Sequence, residues 1–104
     1  MIKEIDLQDL ASILGQGAKL VDVRESEELE DGVIPGHIHM PLSVLEEFET
    51  DLKALGPKIL FYCRSGKRSL KAAEMAQDWG IGPDLFSLRG GFLEYERNRG
   101  KDNG

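Results

Sequence analysis

The chain's single cysteine opens the run Cys63-Arg64-Ser65-Gly66-Lys67-Arg68-Ser69. An apolar stretch, Ile59-Leu60-Phe61-Tyr62, precedes it, and an alanine-rich helical pattern starts near Arg68. The cysteine therefore falls where a buried strand ends and a short loop turns into a helix. The first amides of a helix have no partner inside it, and the helix dipole puts partial positive charge there. Loop amides that point inward complete an anion-binding cup. A thiol in that cup has its thiolate form stabilised. Arg64, Lys67 and Arg68 add positive charge, and Gly66 supplies a position that takes positive φ without steric cost. These residue types in this order describe a nucleophilic cysteine that faces an anionic substrate. A buried structural cysteine is the plainer alternative. Three cations, a glycine and two serines directly after it are a poor description of a core.

The rest of the chain must hold that loop. Lys3 to Asp6 reads as a short edge strand, with Asp6 as the cap of a helix striped by Leu7, Leu10, Ala11 and Leu14. Gly15 and Gly17 stop it. Ala18 to Arg24 reads as a buried parallel strand, and alternation puts Asp22 and Arg24 on one of its faces. That pair is expected to organise loops at the carboxyl edge of the sheet, behind the chemistry. Glu25 to Asp31 carries five carboxylates in seven residues and reads as a solvated short helix capped by Ser26. Pro and Gly residues mark a turn before a short strand over Ile38 to Met40. His37 and His39 lie two apart, but without a third ligand nearby they make a poor zinc site. Leu42, Leu45, Phe48, Leu52 and Leu55 stripe a further helix, which Gly56-Pro57 ends. Lys58 to Tyr62 is the most strand-like run and delivers Cys63. Beyond the loop, Ala72, Ala73, Ala76 and Trp79 share a helical face whose small residues let the helix lie close to a sheet. Leu85 to Leu88 reads as the last strand, followed by Arg89-Gly90-Gly91 and a helix from about Phe92 to Arg97.

Strands alternating with helices imply an α/β fold with a mostly parallel sheet. A length of 104 residues fits one compact domain over 1–104, with a polar tail from about 98 expected to fray. At 40% hydrophobic and 31% charged, the chain is expected to fold around a core. Its formal net charge of -6 disfavours nucleic acid and anionic membranes as partners, so the basic loop stands out as local capture of a small anion. No run of ~18 apolar residues suggests a membrane span. The start lacks the apolar segment of a signal peptide, and a lone cysteine suits a reducing cytoplasm.

The cysteine run resembles the active-site loop of the rhodanese family, the thiosulfate sulfurtransferases. The likeness extends from about Ile5 to Tyr95 and is closest to single-domain rhodaneses. Asp22-Val23-Arg24 resembles an Asp-Val-Arg signature near the start of that domain. Gly32 to Pro41 resembles a Gly-His-Ile-Pro-Gly-Ala segment, with Val33 in place of histidine and His37 in place of a small residue. Leu88-Arg89-Gly90-Gly91-Phe92-Leu93-Glu94-Tyr95 resembles the closing motif, with Tyr95 where tryptophan is usual and expected to pack in the core. The resemblance implies a three-layer domain with a five-stranded central sheet and helices on both faces. It also implies sulfur transfer from thiosulfate to cyanide or a thiol through a persulfide on Cys63. Arg64, Ser65, Gly66, Lys67, Arg68 and Ser69 would bind the substrate, with no metal or organic cofactor. A persulfide carrier or interaction module serving a protein partner is the alternative. Phosphatases and arsenate reductases with related folds place five residues between cysteine and arginine. Here Arg68 comes one residue too early for that larger cup.

Overall fold

The computed structural model describes residues 2–101. Five strands form one sheet: β1 Ile2–Ile5, β2 Lys19–Asp22, β3 Ile38–His39, β4 Lys58–Tyr62 and β5 Asp84–Leu88. Their spatial order is β1-β5-β4-β2-β3, and every pairing is parallel. Parallel pairing puts all carboxyl ends on one edge, and β4 lies at the centre. Cys63 leaves the sheet at the middle of that edge.

The near-continuous apolar runs of β2, β4 and β5 follow from burial on both faces. Successive side chains alternate. Ile59, Phe61 and Cys63 enter one core cluster with Val21, Val23 and Leu85. Leu60 and Tyr62 enter the other with Leu20, Phe86 and Leu88. Helices α2 Glu49–Ala54 and α3 Lys67–Asp78 cover the first face through Leu52, Ala72, Ala73 and Ala76. Helices α1 Leu10–Gly15 and α4 Gly91–Lys101 cover the second through Leu10 and Phe92. The three alanines of α3 are fully buried, so the small-residue face does seat this helix on the sheet. Tyr95 packs partly buried beside Phe92, on the core side as its sequence suggests.

Several boundaries differ from the sequence reading. The first helical stripe is a 3₁₀ turn, Leu7–Asp9, followed by α1. Asp6 makes no capping bond there; its carboxylate pairs with Arg89 at 2.8 Å. The stripe from Leu42 to Leu55 is also broken. A 3₁₀ segment, Leu42–Phe48, loses helical geometry at Val44 and precedes α2. Its start is tied to the sheet edge, where Leu42 N–H donates to the Val23 carbonyl at 3.0 Å. Helix α4 runs past Arg97 to Lys101, and Arg97 and Asn98 both reach back to Glu94. Residues 102–104 of the expected tail lie outside the described residues. No helix among the described residues is long and apolar enough to cross a membrane.

Candidate active site

The loop from β4 to α3 is four residues long, Cys63 to Gly66. Gly66 caps α3 with φ at 105°, a left-handed conformation that glycine adopts freely. A side chain there would press on the Gly90 amide and the Leu88 carbonyl. This turn aims the amides of Gly66 and Ser69 at the Cys63 sulfur, 3.1 and 3.3 Å away. The sulfur thus sits on the N-terminus of a twelve-residue helix, with the dipole directed at it.

Ser69 is fully buried beneath the sulfur, with its hydroxyl 3.6 Å from Sγ. That hydroxyl donates to the Gly66 carbonyl at 3.1 Å and shares a 2.7 Å hydrogen bond with Ser87 of β5. A neutral thiol donates to the Ser69 oxygen. For a charged sulfur, rotation of the Ser69 O–H supplies a third donor. Ser87 was missed in the sequence; it is a fully buried polar residue among the apolar side chains of β5.

The loop's carbonyls face the opposite way. Phe92 and Leu93, in the first turn of α4, donate their N–H groups to the carbonyls of Cys63 (2.8 Å) and Arg64 (3.1 Å). One helix therefore takes the sulfur and the other takes the main chain that carries it. The approach is so close that a Cβ on Gly91 would collide with both carbonyl oxygens.

The charged residues divide into two groups. Arg64, Ser65 and Lys67 are exposed, and among the described residues neither Arg64 nor Lys67 has an ion-pair partner. Arg68 is different. Its guanidinium forms two 2.7 Å bonds with the carboxylate of Glu28. The acidic block is therefore not wholly a solvated face. Its 3₁₀ segment, Ser26–Asp31, is capped by Glu25 and not by Ser26, in a reciprocal box with Glu28. The Glu-x-x-Glu spacing was the available signal. The Arg68 bonds, above all, hold the Glu28 carboxyl down at about 2.

Asp22 and Arg24 are buried at 0% and 1% exposure and paired at 2.8 Å. Burial pushes the Asp22 carboxyl up, but the Arg24 hydrogen bonds override it and hold it below the usual range. Arg24 also donates to the carbonyls of Glu28 (3.3 Å) and Gly32 (2.7 Å). Its guanidinium lies 4.4 Å from the Phe92 ring centroid and 5.6 Å from that of Tyr62. It joins β2, the acidic segment, β4 and α4 at the carboxyl edge. His39 donates through Nε2 to the Arg24 carbonyl at 2.7 Å.

The Cys63 residue as a whole is fully buried. The amides of Gly66 and Ser69 converge on its sulfur, which is shielded from solvent in this structure.

A family model, the rhodanese-like domain, matches residues 6–98. The chain belongs to that family. Among curated relatives of this rhodanese-like chain is the thiosulfate:glutathione sulfurtransferase of Homo sapiens. It is 37% identical over 90 residues, covering 73% of this chain and 78% of that one. A sulfurtransferase of Allochromatium vinosum is 32% identical over 103 residues, covering 94% and 92% of the two chains. The solved human single-domain sulfurtransferase TSTD1 superposes with a TM-score of 0.74 at 30% identity, covering 90% of this chain and 95% of that one.

Proposed function

We propose that this chain is a sulfurtransferase that moves a sulfane sulfur from thiosulfate to cyanide or a thiol acceptor through a persulfide on Cys63. The observation that carries the reading is the convergence of the Gly66 and Ser69 amides on one sulfur.

The Cys63 thiolate attacks the outer sulfur of thiosulfate. A new S–S bond forms as the bond to the sulfonate sulfur breaks, and sulfite leaves with the electron pair. An acceptor nucleophile then attacks the outer sulfur of the persulfide, and the Cys63 thiolate leaves. The two steps balance without an external oxidant or reductant. The outer sulfur of the persulfide is anionic, and inward-facing amides stabilise it as an oxyanion hole stabilises oxygen. The free cations Arg64 and Lys67 draw the donor's negative charge toward the loop. A reducing compartment such as the cytoplasm suits a mechanism that begins from the free thiol.

Steady-state assays with thiosulfate and mercaptopyruvate as alternative donors test the reading. Thiosulfate is expected to be preferred, and an aryl phosphate is expected not to turn over. Phosphate hydrolysis without sulfur transfer would replace this function with a phosphatase. A persulfide that forms but passes to neither cyanide nor small thiols would make the chain a carrier for a protein acceptor.

A further inference from the structure

Among the described residues, Glu28 is the one acidic residue bonded directly to a cation of the Cys63–Ser69 run, and the transfer steps do not use it. It is not a stray surface pair. Arg68 and Glu28 keep only 34% and 24% of their side chains exposed. The carboxylate is oriented before it meets Arg68, since Glu25 N–H donates to its Oε2 at 2.9 Å. Glu25 is held in turn by the Ser43 hydroxyl at 2.8 Å. The Glu28 carbonyl is pinned by buried Arg24. Arg68 and the Glu25 amide thus meet on one carboxylate beside the sulfur cup, while Ser43 and Arg24 hold the segment that carries it.

The chemistry gives that carboxylate a task. A transfer from thiosulfate must capture one anion and release another, sulfite. Three free cations around the cup would hold both tightly. Glu28 neutralises Arg68 and leaves Arg64 and Lys67 free. Resting on the sulfur-transfer reading, we infer that Glu28 is a positioning residue that sets the charge of the anion site: it clasps Arg68 at the rim and thereby weakens the hold on sulfite. It acts through Arg68 and touches no reacting atom.

Glu28→Gln tests this with little structural damage, because the amide oxygen still accepts the Glu25 N–H. The variant is expected to bind sulfite about threefold to tenfold more tightly in calorimetry, the scale of one partly screened unit charge. Its KM for thiosulfate and its kcat should fall together, with kcat limited by sulfite release. Glu28→Asp keeps the charge and should stay within about twofold of wild type in sulfite affinity. The inference is overturned if Glu28→Gln binds sulfite no more tightly than wild type, if Glu28→Asp tightens it equally, or if neither binds sulfite. Sulfite titration needs no turnover, so it decides the role of Glu28 even if thiosulfate proves not to be a donor.

Discussion

The N–H of Phe92 donates to the carbonyl of Cys63 at 2.8 Å. The residue that opens the closing helix therefore holds the main chain of the residue that ends the central strand. With the Gly66 and Ser69 amides on the sulfur, Cys63 lies between the N-termini of two helices. Its carbonyl is taken by one and its side chain by the other.

Gly91→Ala tests that junction. Its φ of 53° costs a residue with a Cβ about 1–2 kcal/mol, and the added carbon also meets the carbonyls of Cys63 and Arg64. A drop in thermal midpoint together with loss of persulfide formation is expected. An unchanged midpoint would mean that the loop and α4 are not packed as described.

Arg24→Ala leaves Asp22 buried without its partner and removes bonds to two carbonyls. Breaking such a pair costs about 3–5 kcal/mol. Urea unfolding should register this loss, and Arg24→Lys should not restore stability, because an ammonium cannot reproduce the planar fork. A loss below about 1 kcal/mol would place the pair among ordinary surface salt bridges.

The Glu28–Arg68 clasp has a defined pH window. The folded-state carboxyl sits at about 2, below its ordinary value of 4.5. A depressed carboxyl stabilises the fold above the unfolded value and loses that contribution as pH falls through the folded one. Wild type should therefore exceed Glu28→Gln in stability by a constant amount above pH 4.5, and the gap should close toward pH 2. Comparison with the variant isolates Glu28 from the chain's other acids. A gap that stays constant down to pH 2 would contradict the ion pair.

The parallel sheet, the order of elements and the position of Cys63 were legible in the sequence, since all three rest on local pattern. Apolar runs bounded by glycine and proline mark β4 and β5, and the strand-to-helix turn marks the cup. Less legible was anything set by pairing across the fold. Arg68 reads as a free cation until Glu28, forty residues earlier, is folded against it. Ser87 reads as an unremarkable strand residue until β5 lies beside the start of α3. The glycine pair at 90–91 resembled a family motif, but its reason, two carbonyls too close for a Cβ, exists only in three dimensions. The broken helix at Leu42–Phe48 was missed because leucine spacing does not register the tie of Leu42 to Val23.

Ser69→Ala removes the hydroxyl beneath the sulfur and leaves the buried Ser87 hydroxyl without its partner. It keeps the Ser69 amide, so the persulfide should still form, about tenfold more slowly, the scale of one lost hydrogen bond to a charged group. Stopped-flow measurement of sulfite release would show this. Wild-type rates in the variant would remove the hydroxyl from the mechanism.

The most direct test is intact mass after treatment with thiosulfate and removal of excess reagent. Wild-type protein should gain about 32 Da, one sulfur atom on the thiolate, and lose it on addition of cyanide. Cys63→Ala should gain nothing. An unmodified wild-type mass, or an equal gain in Cys63→Ala, would contradict a persulfide carried on Cys63.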